Sequence, residues 1–349
     1  MKKLLILLIC FSFVLSGCSS DKAKTDNKKQ TSVSETENTK SDAAKPVEVP
    51  ELTPNEFYTM ATNSQRPVAV MIDNDSEAAR PQIGLESAYL VYEIIVEGGA
   101  TRFMALFKNY DLEKIGPVRS SRHYFLDYVM ENDAIYAHAG WSPLAQSDIP
   151  KLGINNINGI LGVDEINFCR DNTYDKTYHN LYTSIKKLSE HAKNSKGYSL
   201  KGEDGPIEFL KVDSTPEGTD CTELGFKYSN GYRVGYVYKP EEQTYERYVN
   251  GKPHMSQTGD VVSAKNIIIY NVANYDLRDG ENKGRQNLNN IGSGEGWYVT
   301  NGKSEKITWS KEARDAKTVY KNSKGEVLSV NPGLTFIQII PMGNSINIK

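Results

Sequence analysis

At residues 15–18 the chain reads Leu-Ser-Gly-Cys, and this tetrapeptide limits how much of the sequence can take part in a fold. It follows Lys2, Lys3 and an apolar run from Leu4 to Leu15. That run is shorter than the roughly 20 residues a membrane span needs, and with small residues ahead of Cys18 it reads as a secretory signal peptide over 1–17. Residues 19–52 contain no aromatic side chain and almost no large aliphatic one. Such a segment cannot bury enough surface to offset its chain entropy, so residues 18–52 are expected to be a disordered tether. The folding part is then 53–349, a length that favours two domains over one.

The Leu-Ser-Gly-Cys ending resembles the lipobox of bacterial lipoproteins. The resemblance implies cleavage before Cys18 and attachment of acyl chains to it, and two chains anchor a protein stably where one does not. The tether carries lysines and acidic residues in near balance, so it is no polybasic patch. Its rms reach is about 30–35 Å, from roughly 5–6 Å times the square root of its length. Loss of Lys2 and Lys3 takes the formal charge from −3 to −5. That balance gives no reason to expect nucleic acid as a partner. The expected location is the cell membrane, lipid-anchored on the extracytoplasmic face.

From Pro67 to Lys196, strand-like and helix-like stretches alternate. VAVMID (68–73), AYLVYEIIV (88–96), TRFMALF (101–107) and AIYAHA (134–139) are rich in β-branched and aromatic residues. The pattern predicts helices over 117–131, 143–152 and 181–195, the last with Leu181, Ile185 and Leu188 on one face. This makes 53–205 an α/β or α+β domain. After Gly205-Pro206 the signals change. Asn-Gly pairs at 230–231, 250–251 and 301–302 each sit among strand-like residues, and Asn-Gly is the strongest short hairpin signal. Residues 206–349 therefore read as a mainly antiparallel β domain, with the boundary in the Gly-, Pro- and charge-rich stretch 200–206. Four cysteines are present. Cys10 leaves with the signal peptide and Cys18 is acylated, so only Cys169 and Cys221 could bridge, and the sequence leaves that open.

The densest polar constellation lies between Asp73 and Ser142. Asp73 ends a buried-looking strand, a common place for functional groups in sheets flanked by helices. Glu93, Glu97 and Arg102 surround a double glycine, and period-2 alternation puts Glu93 and Glu97 on one face. Carboxylates there are costly unless paired, and Arg102, Arg119 and Arg122 are the available partners. In GPVRSSR (116–122), Pro117 suits the first position of a helix, whose free N–H groups would attract an anion beside Arg119, Ser120 and Arg122. Two readings follow. Either these groups line a cleft that holds an anionic ligand, since arginine suits carboxylate and phosphate, or they form an internal ion-pair network.

Catalytic signatures are sparse. Gly140-Trp141-Ser142-Pro143-Leu144 lacks the second glycine of a nucleophile elbow, and no histidine pair has metal-ligand spacing. His138 with Ser120 or Ser142 offers a base and a nucleophile. Asp73, Glu93 and Glu97 could hold a metal only if the fold gathered them. No cofactor and no metal are expected.

Several stretches, RPVAVMIDND, YEIIVEGGATRFMALF, IGPVRSSRHYFLDYV, HAGWSPLAQ, HNLYTS, YERYVNGKPH and NPGLTFIQIIP among them, resemble the YerB-type lipoproteins of Gram-positive bacteria. The resemblance covers essentially everything after about residue 53. It implies an N- and a C-terminal domain on a lipid anchor and brings no activity or catalytic residues with it. One departure stands at Ser256, where the family tends to carry aspartate. The expected role is binding an anionic envelope ligand, with peptidoglycan, an anionic wall polymer or a wall-synthesis protein as partner. The alternatives are an envelope hydrolase or transferase using the Glu/Arg/His cluster, and a scaffold without a ligand.

Overall fold

VAVMIDN is buried at every position, which requires a strand covered on both faces. In the computed structural model, which describes residues 52–281 and 283–349, this segment is β1 (Val68–Asn74), inside a mixed sheet. The signal segment, Cys18 and the tether up to Glu51 lie outside the described residues. Beside β1 run β2 (Leu90–Ile95), β3 (Thr101–Phe107), β4 (Ile135–His138) and β5 (Asn156–Asn158). β3 is antiparallel to β1 and β2, whereas β4 is parallel to β1 and to β5.

The helices are α1 (Pro54–Ala61), α2 (Phe125–Glu131), α3 (Pro143–Lys151) and α4 (Ile185–Asn194). Three start where local chemistry dictates. Thr53 and Glu56 close a capping box on α1, and the Ser142 and Ser184 hydroxyls accept from Ala145 and Lys187 N–H at the starts of α3 and α4.

The second half supplies β6 (Glu223–Ser229), β7 (Tyr232–Lys239), β8 (Thr244–Val249), β9 (Asn266–Val272), β10 (Gly292–Thr300), β11 (Lys303–Lys311), β12 (Val319–Lys321) and β13 (Thr335–Pro341). Most of its pairings are antiparallel, as expected. All three Asn-Gly pairs are turns. At Asn250-Gly251 and Asn301-Gly302 both residues have positive φ, the condition of a type I′ hairpin turn.

β9, β10, β11 and β12 extend the large sheet, and β13 joins it to the first half by lying parallel between β9 and β2, with Gln338 opposite Glu93. β6, β7 and β8 form the centre of a smaller sheet. Their inward residues alternate, Leu224, Phe226 and Tyr228 on β6, Tyr232, Val234 and Tyr236 on β7, Tyr245, Arg247 and Val249 on β8. This face packs on the large sheet, as the Tyr236–Phe336 ring contact at 6.2 Å marks.

Two helix expectations change. The helix predicted over 117–131 begins only at Phe125. Residues 118–121 are extended because their N–H groups are committed elsewhere: Val118 to Leu181 O, Arg119 to Met71 O and Ser121 to Gly140 O. These long-range partners outweigh the local preference for a helical start at Pro117, so no helix N-terminus exists at Arg119. The helix predicted from 181 begins at Ile185, because Leu181–Thr183 pairs as a strand with Phe168–Arg170.

Cys169 is exposed, Cys221 is buried, and both are free thiols. Burial pushes the Cys221 thiol up to about 11, which makes it a poor nucleophile at neutral pH. Of these two, a thiol reagent such as Ellman's is expected to modify only Cys169 in the native protein, and Cys221 as well once urea unfolds it. A native protein in which neither reacts would indicate a bridge.

Candidate functional site

β1 ends in Asp73-Asn74, and alternation sends these two side chains into different networks. Asp73 is fully buried and accepts from His179 Nδ1 at 2.7 Å. The same carboxylate oxygen lies 2.7 Å from Arg119 Nε, which sits off the hydrogen-bonding axis, while Arg119 Nη2 donates to Asp75 at 3.0 Å. Tyr178 covers the Arg119 guanidinium at 4.9 Å. On the far side of the imidazole, His179 Nε2 faces Ser76 Oγ at 3.4 Å. Burial pushes the Asp73 carboxyl up, but the His179 hydrogen bond and the Arg119 and Arg102 charges outweigh it and hold it below its ordinary value. The Asp73 hydrogen bond likewise raises the His179 imidazole above its ordinary value, against the effect of burial.

Asp73, Asp75 and His179 bring their ligand atoms within 4.8 Å of one another, the spacing of a metal site. The guanidinium of Arg119 lies against both carboxylates, so a cation already occupies the position an ion would take. Those side chains as placed do not fit a metal.

β2 ends just before Glu97, the first residue of a tight turn. Glu97 accepts both forks of Arg122, from Nε at 2.6 Å and from Nη2 at 2.9 Å, a bidentate pair. Burial raises the Glu97 carboxyl, but the Arg122 hydrogen bonds and charge hold it below the usual range. Arg102 on β3 differs from its two neighbours. It is 4 % exposed, donates from Nη1 to Ser120 O at 2.7 Å, and has an unpaired Nε. Burial pushes its guanidinium down to about 10, helped by the Arg122 charge.

Glu93 joins neither group. It pairs instead with Arg247 of β8 at 2.8 Å, both side chains being fully buried, and also accepts from Tyr232, Thr101 and Asn74. Arg247 in turn donates to His254 Nδ1 at 2.5 Å, and His254 Nε2 reaches Gln82 Oε1 at 2.6 Å. Ser256 is buried and donates to Gln82 O at 3.4 Å. Above this network opens a cleft of about 470 Å³. Asp75, Ser76, Arg80 and Gly98–Ala100 form one wall, and Tyr232, Asn250, Lys252 and His254 the other.

The expected acid/base pair is not assembled. His138 is fully buried, with Nδ1 on Gly140 O and Nε2 unpaired, and the Ser142 hydroxyl caps α3. Sequence reasoning passed over His179, Ser76, Asp75 and Arg247. Arg247 had a visible signal, a charge at an inward position between Tyr245 and Val249 in a two-residue alternation. His179 had none, since only tertiary contact brings it to Asp73.

Residues 52–199 match the family described as "Protein of unknown function (DUF3048) N-terminal domain" and residues 224–337 its C-terminal domain. "Putative lipoprotein YerB" of Bacillus subtilis (strain 168) is 33 % identical over 283 residues, which cover 79 % of this chain and 82 % of that protein. The crystal structure of the YerB protein from Bacillus subtilis superposes with a TM-score of 0.69 at 30 % identity, over 81 % of this chain and 94 % of that one.

Proposed function

The chain belongs to the DUF3048 family of proteins of unknown function, and on that premise we propose that it is a lipid-anchored extracytoplasmic protein that binds an anionic ligand of the cell envelope at Arg102. The carrying observation is the contrast among three neighbouring arginines. Arg119 has Asp73 and Asp75, and Arg122 has Glu97, whereas no carboxylate of the described residues lies within 4.0 Å of Arg102. Asp73 and Glu97 act on this buried cation only from beyond contact distance, so its charge is partly compensated and its direct hydrogen-bonding capacity is left to something outside the chain. A carboxylate or phosphate oxygen would fill it with charge-assisted hydrogen bonds. Arg119 and Arg122 then serve as the charged frame, and Asp73, Asp75 and Glu97 hold them in place.

The sign of one stability change separates this reading from a purely structural role. Arg102→Gln removes a buried charge that no carboxylate touches, at the expense of the longer-range attraction of Asp73 and Glu97 and of one hydrogen bond to Ser120 O, the latter worth about 1 kcal/mol. Without ligand the variant is therefore expected to unfold within about 1 kcal/mol of wild type, or later than it. Addition of inorganic phosphate or glycerol phosphate should raise the melting temperature of wild type, less so at high salt, and should leave Arg102→Gln unmoved. A loss of several kcal/mol in Arg102→Gln, with no phosphate response in wild type, would make the arginine cluster a structural clasp.

A further inference from the structure

We propose that Ser76, His179 and Asp73 form a nucleophile, a general base and a positioning carboxylate, and that this chain cleaves or transfers the acyl group of a carboxylic ester bound in the cleft. The inference does not rest on the anion reading: it shares Asp73 with the arginine cluster, but its reacting groups are Ser76 and His179, and it would stand if Arg102 bound nothing. Three observations carry it. The first is connectivity. Asp73 Oδ2 lies 2.7 Å from His179 Nδ1, and on the opposite edge of the same ring Nε2 lies 3.4 Å from Ser76 Oγ. With Nδ1–H donated to Asp73, Nε2 carries the lone pair and faces the hydroxyl, the order needed for a serine to lose its proton to imidazole. The distance to Ser76 is long for a hydrogen bond, as is common before substrate seats the two groups.

The second observation is the gradient of burial along the three residues. Asp73 is fully buried, His179 is 4 % exposed, and Ser76 reaches the cleft. A buried carboxylate fixes the tautomer and stabilises the imidazolium that forms, and a nucleophile at a cleft can meet substrate. The third is that Ser76 Oγ has no other side-chain or backbone partner among the described residues, so it is not a helix or turn cap. Arg80 lines the same cleft, with Nη1 donated to Asn74 Oδ1 at 2.8 Å, and is the cation assigned to a developing oxyanion.

The chemistry balances without an added cofactor. The Ser76 hydroxyl proton passes to His179 Nε2 as Oγ bonds to the ester carbonyl carbon. The tetrahedral oxyanion collapses, the alkoxide leaves and takes the proton from Nε2, and the acyl group stays on Ser76. Water, or the hydroxyl of an acceptor, then loses its proton to Nε2 and attacks the acyl carbon. The carboxylic acid or the new ester departs, and Ser76 recovers its proton.

The test uses the full-length lipoprotein in detergent, a fluorophosphonate probe and p-nitrophenyl butyrate. The expected result is phosphonylation of the peptide that contains Ser76, and ester hydrolysis that falls at least ~100-fold in Ser76→Ala and in His179→Gln. Asp73→Asn should move the rising limb of the pH–rate profile to lower pH, because Asp73 is the first cause of the raised His179 value. A merely structural Asp73 would change the amount of folded protein and leave that limb in place. Absence of probe on Ser76 in folded wild type, hydrolysis unchanged in Ser76→Ala, or labelling at another serine overturns the proposal.

Discussion

Arg247→Met is expected to lower the unfolding free energy by about 3–5 kcal/mol, the usual cost of removing one partner of a buried ion pair. Arg247 and Glu93 are both fully buried and meet at 2.8 Å. Without the guanidinium, the Glu93 carboxylate keeps only the neutral donors Tyr232, Thr101 and Asn74. His254 also loses its donor at Nδ1. The pair spans 154 residues and ties β2 of the large sheet to β8 of the smaller one. Its loss should therefore act on the whole structure and not on one hairpin. The double variant Glu93→Leu/Arg247→Met removes both charges and should recover a large part of the deficit, because an apolar pair of similar volume avoids the desolvation penalty. Urea unfolding of the full chain measures both, with midpoints compared at constant slope. Equal instability of the single and double variants would mean that the surrounding tyrosine and histidine hydrogen bonds, not the charges, hold this junction.

Glu93 also shows where the sequence could and could not be read. That a carboxylate among Tyr, Ile and Val must be paired followed from its neighbours. Which arginine pairs with it did not follow, because three were close in sequence and the one used lies in the other half of the chain. The period-2 pattern of TYERYV placed Arg247 inward, but a single inward charge does not reveal what it faces. The strands of the first half and the three Asn-Gly turns were legible for the opposite reason. A seven-residue buried run and a positive-φ turn are set by residues within a few positions of one another.

GPVRSSR marks the limit of local reasoning from the other side. Its proline and small residues favour a helix start in isolation, yet Val118, Arg119 and Ser121 donate to Leu181, Met71 and Gly140. None of those partners is near in sequence, so no window around residue 118 contains the information. The arginines nevertheless reach carboxylates of the expected region, Arg122 meeting Glu97 and Arg119 meeting Asp73. Charge complementarity survived where backbone conformation did not, since long side chains from an extended loop or a helix can reach the same acid.

Stability is expected to fall as the pH drops from about 6.5, the unperturbed histidine value, to about 4. Three buried imidazoles act in this window, His138, His254 and His123, the last held below its ordinary value by burial against its Asn287 hydrogen bond. Burial pushes His138 down to about 4, against the effect of its Gly140 hydrogen bond, and burial together with the Arg247 and Arg80 charges holds His254 well below its ordinary value. In each case the unfolded chain accepts a proton near pH 6.5 that the folded chain refuses. The unfolded state thus binds more protons within the window, and stability decreases with falling pH. A difference of about 2.5 units at His138 alone amounts to roughly 3 kcal/mol below pH 4. His179 works in the opposite direction. Its value is raised, so its contribution is fully present below the unfolded value and is lost as pH rises through the folded one. Asp127 and Glu86, whose carboxyls are raised first of all by burial, also oppose the trend by taking up protons earlier in the folded state. Asp73 and Glu97 are held low and lose their contributions only at more acid pH. His138→Phe separates these terms, because it keeps a ring beside Tyr136 and Trp141 and cannot titrate. Urea midpoints of this variant should change less than those of wild type between pH 6.5 and 4.5, whatever their value at pH 7. Parallel curves for the two proteins would mean that His138 takes up its proton in the folded state, and that the acid response belongs to His254, His123 and the carboxylates.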